Sequence, residues 1–529
     1  MLVVIPCAGL GTRLRDILGS IPKPLACISG KATLTRIIEL YPKDTKFIIL
    51  VGYKENDIRT YLELAHGNSD ITCISVIDYQ GPTAGPLMSI SCAERLLQQP
   101  FIFHAGDTLP IGYNPENLKG NSILVGPTTN SIQYAKDIIE DNKVTHILNK
   151  GNTETAKTHL GIVRIEDTNV FWVCTHALLA LKESDMSDVH IINKMLETNK
   201  DIYFNAEEVE DWIDAGSQEG LIKRCKLYNS GDQNLPKKDQ AAYVLDDIVI
   251  KYHKSTEVIS KMKIRADALK DTVPHIILSQ NSWLAYTKAQ GRLMREVVTP
   301  NLTKKFLQWC DNKLWKPVNV DISDLCDTFY KQKTLKRIEA FRNKTGILDC
   351  GCRINEVNIP TTDEMLNILD WNLVCNGVPT NLFHGDLHFS NIIVDTNNNF
   401  TLIDWRDDFG NNTDIGDIYY DLAKLHAGML LSLDKIIDGK YTIILNGTQE
   451  PERADVTISL DRNTNAFKSI DELKAYINTK GYSWWKVEAL TALIYLNMSP
   501  LHHYPLNLLL YYYGNYMLNN CIQTKEGKE

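Results

Sequence analysis

Up to about residue 230 the chain alternates short apolar runs with amphipathic stretches. The runs LVVIP, KFIILVGY, ITCISVID and FIFHAGD read as buried strands. Between them apolar residues recur at helical spacing over Thr33 to Tyr41, Asn56 to Ala65 and Pro86 to Leu97. Strands separated by helices predict a parallel sheet covered on both faces, with ligands at the strand C-termini. From Ile132 to Asp167 the pattern changes to strand-like runs around the turn Asp141-Asn142-Lys143, followed by HLGIVRIED. An inserted antiparallel piece that could cover a substrate is expected there.

The stretch NSGDQNLPKKDQ, 229–240, combines turn formers with charge and lacks apolar periodicity, so it is the best linker candidate. Two or three strand-like runs follow in AAYVLDDIVIKY and HIILSQNSWLAYTKA, and then a mostly helical remainder rich in Leu, Ile and Tyr. The expected division is a first domain over 1–230, a linker over 231–240 and a second domain over 241–525, with a small lobe to about 295 and a helical lobe from about 296. The expected class is α/β: a doubly wound, Rossmann-like mixed sheet first, then an α+β fold with the two-lobed layout of protein kinases. There is no internal repeat.

Composition narrows the function. At 529 residues the chain exceeds what one core usually supports. Hydrophobic residues at 44% and charged residues at 23% are those of a globular protein, and no apolar run is long enough to cross a bilayer. A net charge of −9 argues against a nucleic-acid surface. The opening MLVVIPCAGLG reads as a first strand and not as a signal peptide, so a cytoplasmic protein is expected. Its twelve cysteines are scattered singly except for Cys350 and Cys352, which lack a second pair at zinc-like spacing.

Two places carry chemistry. In IPCAGLGTRL, Gly9 and Gly11 directly follow the first strand, where backbone amides and a helix N-terminus can approach a phosphate. A dinucleotide site would want glycine where Leu14 stands, and an acid where the second strand runs into Val51-Gly52-Tyr53. Instead Thr12 and Arg13 follow, and Lys23-Pro24 adds a second cation ten residues later, a set suited to a triphosphate.

At this point the chain resembles the sugar-phosphate nucleotidylyltransferase family, whose G-x-G-T-R and K-P signature it carries as GLGTR and SIPKPL. The resemblance implies base and nucleotide contacts from Gln80 and Gly85 in YQGPTAGPL, and Mg²⁺ on Asp107 of HAGDT and Asp214 of EDWIDAGSQEGL, with Asp211 the rival. It covers roughly the first 225 residues. The Glu-Lys-Pro element that the family often sets on the sugar phosphate is reduced here to Lys150, which leaves room for a shorter acceptor, as in the phosphocholine cytidylyltransferases of the same superfamily.

The segment LFHGDLHFSNIIVD…FTLIDWRDDFG sets Asp386 five residues before Asn391 and eighteen before Asp404. A kinase catalytic loop needs such an aspartate for the attacking hydroxyl, and an asparagine and a second aspartate for Mg²⁺. The form H-G-D-L-H…N-I…I-D-W resembles the aminoglycoside phosphotransferase and choline kinase superfamily. Lys251, with Lys254 as alternative, would meet the ATP phosphates, and Glu257 could pair with either. His384 and His388 are expected to brace the loop. Asp414, Asp417 and Asp421 read as bracing and capping groups first.

FYKQKTLKRI brings cations, and Trp484 and Trp485 bring aromatic faces that could meet an ammonium group, although such aromatics are more often core. Together the resemblances imply a kinase that uses ATP on a polyol, amino alcohol or sugar, and a transferase that joins the phosphate ester to a second nucleoside triphosphate, CTP or UTP by preference. The pairing resembles fused or paired proteins of bacterial surface-polysaccharide loci, which implies that the product is a precursor of such a polysaccharide. The rival readings are one inactive half, or an unlinked kinase acting on aminoglycosides.

Overall fold

The computed structural model describes residues 1–81, 84–183, 186–220, 223, 237–349, 351–446 and 454–526. Residues 231–236 of the expected linker and Cys350 of the C-x-C pair lie outside the described residues. The chain divides into two compact units, Met1–Lys254 and Ser255–Glu529. It is mixed α/β throughout.

The first unit is built on a nine-stranded sheet. Four strands run parallel, in the order Ile71–Ser75, Lys46–Val51, Leu2–Cys7 and Phe101–His104, with Ile5 opposite Ile49. Val3, Val4, Ile49 and Leu50 have no exposed surface. Strands buried on both faces read as continuous apolar runs, as these do. The helices between them are Thr33–Ile38, Glu55–His66 and Pro86–Ser91. The last is shorter than its apolar spacing suggests and resumes only as the 3-10 turn Glu94–Leu96.

Ala156–Ile165 then pairs antiparallel with Phe101–His104 and with Ser122–Thr129. Lys136–Glu140 and Lys143–Leu148 form the outer hairpin. Asp141 and Asn142 at its tip both have positive φ, 49° and 61°, the two-residue turn that suits the twist of paired strands. The antiparallel piece foreseen over Ile132 to Asp167 is therefore part of the main sheet, with Ala156–Ile165 inside it and the hairpin at its edge.

The hairpin of Gln240–Val244 and Ile248–His253, grouped by the sequence pattern with the second domain, belongs to the first unit. Tyr243 is fully buried; its hydroxyl donates to the Leu25 carbonyl at 2.6 Å and its ring lies 4.7 Å from that of Tyr61. Burying one such ring contributes about 2 kcal/mol.

In the second unit the helix Thr256–Leu269 precedes the hairpin Ile276–Gln280 and Trp283–Thr287. The rest is mostly helical: Pro300–Lys313, Lys333–Thr345, Ile418–Leu430, Thr464–Thr479, Trp484–Met498 and Leu506–Glu526. A small sheet that the apolar pattern did not announce stands beside them, with Tyr441–Asn446 antiparallel to Ala454–Leu460. Among the described residues no helix is long and apolar enough to cross a membrane.

Candidate active sites

In the first unit a cavity of about 520 Å³ opens at the C-terminal ends of Leu2–Cys7 and Phe101–His104. Gly9, Gly11, Thr12, Arg13, Lys23, Gly85, Asp107, Lys150 and Asp214 all line it. The glycine loop leads into the 3-10 turn Thr12–Leu14 and a single α-turn, Arg15–Leu18, in place of the helix N-terminus expected there. Gly11 is left-handed, with φ of 62°, and a Cβ on it would meet Lys23 Cβ at 2.9 Å.

Asp107 lies three residues past the end of its strand, on a loop fixed by His104. The buried imidazole donates from Nε2 to the Thr108 carbonyl at 2.9 Å, and its Nδ1 lies 2.7 Å from the Tyr41 hydroxyl. Burial pushes His104 down to about 4, so it stays neutral. Thr108–Ile111 pairs antiparallel with Asp211–Asp214, and this register places Asp214 opposite Thr108 and beside Asp107. A Cβ on Gly216 would meet Asp107 Oδ2 at 2.5 Å, Lys23 Nζ at 2.7 Å and Asp214 Oδ1 at 2.9 Å. Both carboxylates and the ammonium therefore converge on one point.

Lys23 is ion-paired with Asp107, and Arg13 Nη2 is 3.9 Å from the same oxygen. Burial raises the Asp107 pKa, but Lys23 first, then Arg13 and Lys150, outweigh it and hold the carboxyl below its usual range. Asp211 instead pairs with Lys223 at 2.7 Å on the surface. Gln80 is exposed and does not line the cavity, whereas Tyr79 does.

The same cavity is lined by residues that the motifs did not point to. His159 is held between two carboxylates, with Nδ1 2.9 Å from Asp137 and Nε2 2.9 Å from Asp188. Burial works against its charge, yet the two acids override it and push the imidazole up to about 10. Tyr134 packs edge-on against Trp212 at 5.0 Å, and both face the cavity. Among the described residues no group of three or more His, Cys, Asp or Glu could hold a metal. The donor set of two adjacent carboxylates still fits Mg²⁺, which takes one or two from protein when substrate phosphates supply the rest.

In the second unit, Asp386 and Asn391 share one loop. Asn391 Nδ2 donates to the Asp386 carbonyl at 2.9 Å and approaches its Oδ2 at 3.4 Å. The strands Ile392–Val394 and Phe400–Leu402 pair behind it, and the Ile403 amide donates to the Asn391 carbonyl at 2.9 Å, so that Asp404 follows close by. Asp404 has φ of 57°, a strained value for a non-glycine residue of the kind that functional sites hold.

The two histidines brace this loop. His384 is fully buried, donates from Nε2 to the Ile403 carbonyl at 2.9 Å, and accepts the Asp386 amide at 3.2 Å. The Ser390 amide donates to His388 Nδ1 at 3.3 Å. Asp421 accepts the amides of His384 and Gly385 at 2.9 and 2.7 Å; burial pushes its pKa up to about 6. Asp417 caps the helix Ile418–Leu430 through the Tyr419 amide, and Asp414 accepts the Thr413 hydroxyl.

Two cations that the motifs missed complete the setting. Arg265 has no exposed surface and donates to the carbonyls of Asn381, Thr413 and Phe383 around the loop. Lys424 Nζ is 2.6 Å from Asp386 Oδ1. Burial raises the Asp386 pKa, but Lys424 outweighs it, and the carboxyl is held far below its usual range.

Other expected partners went elsewhere. Glu257 pairs with Lys261 at 2.8 Å, and Lys254 approaches Asp239 at 3.9 Å. Lys251 stands opposite Ala242 in a strand of the first unit. Trp484 packs against His426 at 4.8 Å and Trp485 donates to the Cys521 carbonyl at 2.9 Å, so both serve the helical packing.

Residues 353–439 match the phosphotransferase enzyme family. Over 226 residues the chain is 28% identical to the bifunctional protein GlmU of Methanococcus vannielii, a stretch that is 40% of this chain and 51% of that protein. The chain thus spans about half the length of that relative. Over 65 residues it is 42% identical to the D-glycero-alpha-D-manno-heptose 1-phosphate guanylyltransferase of Campylobacter jejuni, 12% of this chain and 29% of that one. A solved CTP:phosphocholine cytidylyltransferase from Streptococcus pneumoniae is 18% identical, with 43% of this chain and 99% of that chain covered and a TM-score of 0.37.

Proposed function

We propose that this chain, which joins a sugar-phosphate nucleotidylyltransferase-like N-terminal domain to a C-terminal phosphotransferase domain, performs two consecutive transfers on one small molecule. The second domain moves the γ-phosphoryl group of ATP to a hydroxyl of a polyol, amino alcohol or sugar, giving the phosphate ester, ADP and a proton. The first domain lets that ester attack the α-phosphorus of a second nucleoside triphosphate, CTP or UTP by preference, and releases pyrophosphate. The product would be a nucleotide-activated precursor for capsule or another surface polysaccharide, made in the cytoplasm.

The observation that carries this reading is that each unit holds its own reaction set. Asp107, Asp214, Lys23 and Arg13 share one cavity, and Asp386 with Asn391 forms a braced loop in the other unit. In the first unit Arg13 and Lys23 would steady the phosphate oxygens on which charge builds, with Gly9, Gly11, Thr12 and Gly85 about the nucleotide. In the second, Asp386 would orient the hydroxyl and accept its proton. Mg²⁺ would be held by Asp107 and Asp214 in one unit and by Asn391 and Asp404 in the other, where it would neutralise phosphate charge.

The test is pyrophosphate release by the full chain given ATP, Mg²⁺, each of four nucleoside triphosphates and a panel of unphosphorylated acceptors, beside Asp386→Ala. The reading expects pyrophosphate that needs both ATP and one acceptor, and that Asp386→Ala loses until the phosphorylated acceptor is supplied. ADP release with no pyrophosphate from any triphosphate, the phosphorylated product included, would leave a kinase with an inactive partner domain.

A further inference from the structure

Beside Asp386 a second cavity of about 190 Å³ is lined by four cations, Lys333, Arg337, Arg406 and Lys424. Lys333 and Arg337 sit one turn apart on the helix Lys333–Thr345, directly after the π-helical segment Asp327–Gln332. Such segments are rare and recur at functional sites. This one presents Phe329, whose ring has Lys333 Nζ 3.9 Å from its centroid and the Arg406 guanidinium 4.9 Å from it. Two like charges are thus held around one aromatic ring.

The acids present do not balance them. Lys424 is taken by Asp386, and Arg406 Nε is 4.0 Å from Asp408. Among the described residues neither Lys333 nor Arg337 has a salt-bridge or hydrogen-bond partner, although both are partly buried. Burial first, then Arg406, Arg337 and Lys424, push the Lys333 ammonium down to about 7, a penalty that a bound anion would reverse. A fold that gathers unbalanced cations beside a phosphoryl-transfer aspartate is prepared for negative charge on what it binds.

We infer that the acceptor phosphorylated by the second unit is itself anionic, a small hydroxy compound whose phosphate or carboxylate is held by Lys333, Arg337 and Arg406 while its hydroxyl meets Asp386. The inference rests on the phosphotransferase reading of that unit and narrows it. It removes aminoglycosides and choline, whose positive charge this cavity would repel.

Calorimetry on the full chain tests it, with inorganic phosphate, glycerol 3-phosphate, D-glycerate, glycerol and choline as ligands. At least one of the anions should bind more tightly than glycerol and choline, and Lys333→Met and Arg337→Met should each weaken it at least tenfold. Glycerol 3-phosphate against D-glycerate separates phosphate from carboxylate recognition. The inference is overturned if glycerol or choline binds as well as every anion, if no anion binds, or if both variants bind anions like wild type. It is also overturned if the variants raise KM for ATP instead of the acceptor.

The parent reading is judged apart, by ADP release. An acceptor of any charge that gives ADP in wild type and none in Asp386→Ala keeps the phosphotransferase reading even where the anion is refuted. Tight anion binding at Lys333, with ADP release that Asp386→Ala leaves unchanged, would keep the site and remove the reading.

Discussion

Lys424 and Asp386 form an ion pair of 2.6 Å on the floor of the second unit's site, one side chain from a helix and the other from the loop it faces. The pair keeps Asp386 ionised and aimed, and an incoming hydroxyl must share that carboxylate with the ammonium. Replacing Lys424 by Met should lower kcat for ADP release on the order of 100-fold. Because Lys424 depresses the Asp386 pKa, its loss should also move the acid limb of the pH profile upward. Pyrophosphate release from phosphorylated acceptor should be untouched. An acid limb that stays where it was would show that Lys424 does not act through Asp386.

Gly216→Ala tests the convergence in the first unit. The added methyl meets the tips of Asp107, Lys23 and Asp214, groups that can swing aside, so the fold should survive while the constellation spreads. Pyrophosphate release should fall at least about tenfold, with the thermal midpoint within a few degrees of wild type. A variant as active as wild type would mean that these three groups need not converge.

His159 gives the first unit a stability that depends on pH. Its pKa is near 6.5 unfolded and about 10 folded, so the stabilisation is complete below 6.5 and is lost as the pH rises through 10. Wild type should therefore lose stability between pH 7 and 10 by more than His159→Asn, which lacks the imidazole that titrates there. Thermal unfolding of both at pH 6, 8 and 10 decides this, and a gap that stays constant across that range would refute it.

Arg265→Leu removes the donor to three carbonyls, of Asn381, Phe383 and Thr413, around the Asp386 loop. Leaving such groups unsatisfied should cost on the order of 3–5 kcal/mol. Tryptophan fluorescence in urea reports it, since most of the tryptophans belong to the second unit. A midpoint unchanged from wild type would show that water replaces the guanidinium.

Much of this was legible in the chain. The parallel strands announce themselves as unbroken apolar runs because helices cover both faces, and Arg13, Lys23, Asp107 and Asp214 stand in ordered motifs tied to those strand ends. Asp137, His159 and Asp188 carry no such signature. They are 22 and 29 residues apart, and strand register and one helix start bring them together. Arg265 lies in a helix of ordinary polarity, where nothing marks it as buried. Lys424 is likewise set against Asp386, and Lys333 brought to the cavity beside it, by helix packing, which local pattern does not encode. Gln80 sits where a base contact was expected, but its side chain is exposed and Tyr79 takes the cavity wall.

The hairpin Gln240–His253 bears on where this protein can be cut. Ended near residue 230, where the apolar periodicity stops, the first unit would lose the aromatic lid over Tyr61 and the Tyr252 hydroxyl that Lys54 donates to at 3.1 Å. Ended after Lys254, it would keep both. A fragment meant to be expressed alone should therefore run on through this hairpin to Lys254, and the shorter one should be the more prone to aggregate.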